Sequence, residues 1–287
     1  MPAPNDLTDL DPSRRMDMLL CELAGEFSVD GSASNANAGE YAPGTATLSC
    51  GPYPIATLTA PAPTTLEPQL KWVRNYADLR FDRIAEINLQ IDDMLSFFGA
   101  ISQLDASARR RSMEVMMVTL RLAYMLVMRI KSLTWAPRPI DMSTRVQPMI
   151  QTPDHSSFPG GQATEAFALA TVLTRMRDPS RSAIAGLAAQ DQVFQLAHRI
   201  AVNRTIAGVH FPLDNSAGAR LGCAIGEAIW ALLARTNVSF QVKTPLPGGD
   251  FILSEVELDE FANRPQVAGR RFACAEYAAK LSSEWGH

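Results

Sequence analysis

Three short stretches concentrate the residue types that handle a tetrahedral oxyanion: "KSLTWAPRP" at 131–139, "FPGGQA" at 158–163 and "NRTIAGVHFPLD" at 203–214. Lys131 and Arg138 are separated by six residues, Arg204 precedes His210 by six, and Asp214 follows His210 by four. An arginine fork binds two oxygens at once, a lysine adds a point charge, and the first N–H groups of a helix take the remaining oxygens. Gly160 and Gly161, ahead of an alanine-rich apolar run, supply such a helix start. His210 is then placed to attack the central atom or to coordinate it, and Asp214 to fix its tautomer through the other ring nitrogen. Any one stretch alone also reads as a salt bridge beside a turn. His155, four residues before Pro159, is a candidate to overhang the same pocket. His198 reads as an ordinary helix histidine and His287 as a tail residue.

Each stretch falls at the end of a predicted core helix. Apolar residues recur at helical spacing over 67–102. A helix is expected over 105–133, with Asp105 as its N-cap and the prolines of "TWAPRP" as its stop. Further helices are predicted over 161–176, 182–207 and 214–235, with a short amphipathic one over 14–27 and a terminal one near 271–284. Residues 1–13 read as a draped arm. The Gly-, Ser-, Asn- and Pro-rich stretch 30–66 reads as a long loop wrapping the surface or a partner copy. No run alternates convincingly enough for a sheet. The fold class is therefore all-α, a helical bundle over 67–237, with an N-terminal arm over 1–66 and a C-terminal extension over 238–287.

The 287 residues carry a net charge of −4, which argues against a general nucleic-acid binder and makes any anion site a local concentration of cations. Lysine occurs at Lys71, Lys131, Lys243 and Lys280 alone, so Lys131 is poor surface filler. Cys21, Cys50, Cys223 and Cys274 are scattered without zinc spacing, and pairing of Cys21 with Cys50 stays open. The start shows no basic region leading into an apolar stretch. The longest apolar stretches, "MVTLRLAYMLVMRI" and "LGCAIGEAIWALLA", are 14 residues each and read as core helices too short to span a bilayer. The expectation is a cytoplasmic chain with a small-molecule substrate and neither nucleic-acid nor membrane partners; a homo-oligomer is left open.

In order and spacing, the three stretches resemble the signature of the type 2 phosphatidic acid phosphatase and vanadium haloperoxidase superfamily: K-x6-R-P, then P-S-G-H, then S-R-x5-H-x3-D. The likeness covers roughly residues 105–235, and "TPDHSSFP" and "GVHFPLD" lean towards its soluble bacterial haloperoxidase-like branch. The resemblance implies that Lys131, Arg138 and Arg204 bind phosphate or vanadate, with Gly161 touching the oxyanion through its N–H. His210 matches the histidine that forms the phospho-enzyme or bonds to vanadium, and Asp214 its orienting carboxylate. This chain departs from the signature at Gly160 for Ser, Gln162 for His and Asn203 for Ser. The missing histidine is the family's acid–base group, and an amide cannot deliver a proton at neutral pH. General acid catalysis is typically worth about 10²–10⁴-fold.

Three functions follow as expectations. The first is a haloperoxidase-like enzyme with vanadate as cofactor on His210, oxidising halide with peroxide, its activity weakened at Gln162. The second is a phosphatase for phosphomonoesters or diphosphates working through a phospho-histidine. The third is a phosphate binder or vanadium-free relative without either activity.

Overall fold

The computed structural model describes residue 7 and residues 10–35, 41–244, 246, 248–261 and 272–286. Most of the expected arm, residues 1–6, 8 and 9, and the tail residue His287 lie outside the described residues. Helix α1 (Pro12–Ala24) starts behind Asp11, whose carboxylate accepts the N–H groups of Ser13 and Arg14. The stretch expected to be a wrapping loop instead holds an antiparallel sheet of β1 (Phe27–Ser32), β2 (Thr45–Cys50) and β3 (Tyr53–Thr59), in the order β1-β2-β3. Along β2 the side chains alternate, with Ala46, Leu48 and Cys50 buried and Thr45, Thr47 and Ser49 less so. Thr45 and Thr47 pair with Thr59 and Thr57 across the sheet through their hydroxyls.

The region 67–102 is helical, as its periodicity predicts, but broken. After α2 (Pro63–Leu66) come α3 (Leu70–Asn75), α4 (Arg80–Asp92) and α5 (Leu95–Ser102), joined partly by 3-10 turns. Helix α6 (Arg110–Leu133) begins later than expected: Asp105 caps a separate turn by accepting from Ser107, and Arg109 precedes the helix. Next are α7 (Pro139–Met142) and α8 (Gly161–Arg177). The single helix expected over 182–207 is two, α9 (Ala183–Ala188) and α10 (Gln192–Ile206), because Gln190 takes a left-handed φ of 51° between them. Helix α11 (Pro212–Ala234) follows, then a two-stranded ladder of β4 (Phe240–Val242) and β5 (Leu258–Glu260), and finally α12 (Phe272–Trp285).

Helices α8 and α11 form the most extensive contact and make the centre of the bundle, with α6 and α10 against the other faces of α8. Their approach depends on Gly218, Gly222 and Gly226, spaced one turn apart on α11. A Cβ on Gly222 would stand 2.3 Å from the Thr164 carbonyl oxygen, and one on Gly218 would stand 2.4 Å from that of Gly160. One buried apolar cluster runs from α1 through the sheet and the bundle to α12. Helix α11 extends beyond its 14-residue apolar run, so by length and composition it is long enough to cross a membrane, but 89% of its most apolar window is buried in the core. Cys21, on the surface, and Cys50, inside β2, are not joined by a disulfide.

Candidate active site

The ends of four helices and one loop converge on a cavity of about 290 Å³, whose wall includes Lys131, Gly161, Gln162, Glu165, Arg204 and His210. Lys131 comes from the last turn of α6 and Arg204 from the last turn of α10, where cations also complement the helix carbonyl ends. Arg138 stands immediately before α7, and Gly161 opens α8. Between Arg204 and His210 the chain reverses at Gly208, whose φ of +84° is a left-handed conformation that glycine tolerates best. A Cβ there would also meet Arg80 at 2.8 Å. His210 then sits just ahead of α11, and Asp214 lies in that helix's first turn.

Asp214 is fully buried and works in two directions. Its Oδ2 accepts the Phe211 N–H at 2.9 Å, closing the start of α11, and also meets His210 Nδ1 at 3.1 Å. The Ser157 hydroxyl donates to the same oxygen at 2.5 Å. On the other side of the ring, Arg138 Nη1 lies 3.1 Å from His210 Nε2. An arginine can only donate, so Nε2 must accept and Nδ1 must carry the proton given to Asp214. Burial, reinforced by Arg138, pushes the imidazole down to about 3. His210 is thus neutral, with its lone pair on Nε2, the form that can act as a nucleophile or ligand.

Arg138 is held by the carbonyls of His155, Ser156 and Val209 as well as by the imidazole, and with Asp214 it lies behind the cavity wall rather than on it. Lys131 Nζ donates to the carbonyls of Ser156 (2.7 Å) and Ser157 (3.1 Å), leaving one of its three protons uncommitted. Burial, aided by the Arg138 charge, lowers Lys131 to about 7. Arg204 is 2% exposed and gives only Nη2, to Ile87 O and Gln90 Oε1, each at 3.2 Å. Its Nε and Nη1 are buried without a hydrogen-bond partner. A buried guanidinium with idle donors is expensive unless an acceptor arrives, and a tetrahedral oxyanion supplies one. Burial lowers Arg204 only to about 10, so it stays charged.

The two glycines part ways. The Gly160 N–H is spent on the Asp214 carbonyl at 2.7 Å, so Gly160 offers no donor to an anion, contrary to expectation. Its role is steric, since a Cβ there would lie 2.9 Å from that same carbonyl. Gly161, the first residue of α8, has no intrahelical acceptor for its N–H and lines the cavity. Gln162 also lines it, but its amide nitrogen donates to the Gln90 carbonyl at 2.7 Å. It ties α8 to α4, whose Gln90 side chain holds Arg204. Asn203 joins the same network by donating to Gln90 and Glu86. His155 does overhang the pocket, with Nδ1 facing Arg138 Nη2 at 3.2 Å. His198 is turned to Phe251 O and is not on the wall.

Sequence reading missed two residues here. Gln90 reaches Arg204 from 114 positions away, and nothing in the local sequence points to it. Glu165 is half-buried on the wall, one turn after Gln162; that spacing was the available signal.

A helical bundle with a cationic, imidazole-bearing pocket at its helix ends is chemically suited to a tetrahedral oxyanion. Comparison with known families finds one match: the model of the PAP2 superfamily matches residues 115–237, the segment that holds the lysine, both arginines, the imidazole and its carboxylate. The superfamily includes the vanadium haloperoxidases and type 2 phosphatases, and its enzymes act on small-molecule phosphoesters. No curated protein matches the chain.

Proposed function

We propose that this pocket hydrolyses small-molecule phosphoesters through His210. One observation carries the reading: a neutral imidazole with its lone pair on Nε2 shares a cavity with a buried arginine that has two idle donors. Phosphate oxygens would take Arg204 Nε and Nη1, the third Lys131 proton and the Gly161 N–H, while Arg138 turns from Nε2 to the anion. Nε2 attacks phosphorus, the N–P bond forms, and the P–O bond to the alcohol breaks with its electron pair on the leaving oxygen. Asp214 stabilises the imidazolium-like ring. Water then attacks phosphorus, and the N–P pair returns to Nε2. With Gln162 committed to Gln90, the proton for the leaving oxygen must come from elsewhere.

The same donors suit orthovanadate, which matches phosphate in shape and charge. Bound there, it would supply Lewis-acid activation of peroxide. Support for that haloperoxidase reading is confined to the resemblance of the loops.

The test pairs binding with turnover. Orthophosphate should bind once per chain by calorimetry, and Arg204→Ala should weaken it at least about tenfold, as loss of a charge-assisted bidentate contact warrants. His210→Ala should abolish hydrolysis of p-nitrophenyl phosphate, while His198→Gln retains it. Binding without any hydrolysis would leave the non-catalytic reading, and bromination that needs both peroxide and orthovanadate would favour the haloperoxidase one.

A further inference from the structure

Two cavities meet at the first turns of α8. The oxyanion pocket adjoins a second cavity of about 310 Å³, and Ile91, Tyr124, Gln162 and Glu165 line both. A phosphoester whose phosphate lies against Arg204 and Lys131 and whose organic group lies in the second cavity would place its bridging oxygen at this seam. The seam needs a proton donor, and Gln162 is not one. Glu165 stands three residues further along the helix, on the same side, and its carboxyl makes no hydrogen bond or ion pair among the described residues.

We propose that Glu165 is the general acid of this pocket, delivering its proton to the leaving oxygen in place of the histidine that position 162 lacks. The proposal rests on the phosphoester reading. In the first step the carboxylic acid protonates the alcohol oxygen as the P–O bond breaks, releasing the neutral alcohol and leaving the Glu165 carboxylate. In the second step that carboxylate takes a proton from the attacking water, phosphate departs, and the acid is regenerated. Atoms and charge return to their starting state with no further reactant.

The protonation state suits the task. Burial pushes Glu165 up to about 7, with the Lys131 charge pulling the other way. The groups facing it are Arg121, Tyr124 and Lys131 from α6, Arg204 from α10, Asp92 at the end of α4, and His155 and His210 from the loops. The cations favour the carboxylate, whereas Asp92 and an arriving phosphate dianion favour the acid. His155 is the rival donor, but burial and the nearby cations lower it below the ordinary imidazole range, so it holds no excess proton at neutral pH.

The decisive variant is Glu165→Gln, which keeps size and removes the proton. An alkyl phosphate, with a poor leaving group, should lose about 10²-fold or more in kcat, whereas p-nitrophenyl phosphate should lose less than about tenfold. Wild-type turnover of the alkyl ester should fall above about pH 7, and that limb should be absent in Glu165→Gln but retained in a slower Glu165→Asp. Orthophosphate binding that is unchanged or tighter in Glu165→Gln verifies that the pocket is intact. Equal losses on both esters, or a limb that persists in the glutamine variant, would overturn the role of Glu165 while the His210 reading stands. A wild type without hydrolysis, or a His210→Ala variant that keeps it, would remove both.

Discussion

Lys131 is the cation whose charge this pocket can adjust. Burial and Arg138 hold it near 7, and a dianion bound beside it would raise it, since opposite charge favours the protonated form. A group whose bound pKa exceeds its free pKa takes up a proton on binding at any pH between the two. Orthophosphate affinity should therefore decline as pH rises from about 7 to 9. Calorimetry at pH 8 in buffers of different ionisation enthalpy should register proton uptake, and Lys131→Met should remove most of it. Uptake unchanged in that variant would assign the proton to another group. The residues that sequence made legible, Lys131, Arg138, Arg204, His210 and Asp214, form two sets, each bridged by one short loop, so spacing carries their geometry. Gln90 and Glu165 escaped because one acts from a remote helix and the other sits where a helical glutamate usually faces water. Gly160 looked like a donor because its N–H bond to Asp214 joins segments far apart in sequence.

Helix α8 presents Gly161 and Glu165, helix α11 follows His210 and carries Asp214, and the glycines of α11 fix their separation. At Gly222 the nearest atoms to an added Cβ are the Thr164 carbonyl oxygen at 2.3 Å, the Ala168 nitrogen at 3.0 Å and Phe167 Cβ at 3.0 Å, two in the backbone and one bonded directly to it, so none can swing aside. Gly222→Ala should force the helices apart and destabilise the protein by about 1–3 kcal/mol, the usual range for overpacking. It should also weaken orthophosphate binding, because Gly160 is bonded to Asp214 across the same junction. Thermal unfolding with calorimetry checks both effects, and a melting temperature equal to wild type would show that the helices can slide. The long helices were legible because their apolar residues repeat at 3.6 and prolines or glycines end them. The sheet was not, although "TATLSC" does alternate and Gly51–Pro52 forms a two-residue turn with Gly51 at a φ of 56°. Its strands bury the small residues Ala46, Cys50 and Ala56 beside only two β-branched apolar ones, Val29 and Ile55, and the neighbouring Gly, Asn and Pro outweighed them.

At the scale of the molecule, both terminal helices are seated on the far end of α6 around one buried carboxylate. Glu114 receives Arg15 from α1 at 2.5 Å, Arg111 from its own helix at 2.9 Å and the Tyr277 hydroxyl from α12 at 2.5 Å. Arg111 reaches on to Glu276 at 3.3 Å. Burial alone would raise Glu114, but these three partners hold it below the ordinary glutamate range. Glu114→Ala leaves Arg15 buried without its counter-charge and Arg111 with Glu276 alone, which should cost about 3–5 kcal/mol, as breaking one side of a buried ion pair does. The sign of its pH dependence follows from the depressed pKa. The folded state binds fewer protons here than the unfolded chain, so this stabilisation is complete above the unfolded pKa near 4.3 and is lost as pH falls through the folded value. The melting-temperature gap between wild type and Glu114→Ala should be wide at pH 6 to 7 and should narrow below about pH 4. Glu114 and Lys131 are roughly 25 Å apart along α6 at 1.5 Å per residue. Orthophosphate affinity, measured well below the variant's melting temperature, should therefore match wild type. A gap that does not change with pH would mean that the arginines find other acceptors, and a large loss of affinity would mean that the terminal helices set the position of the pocket.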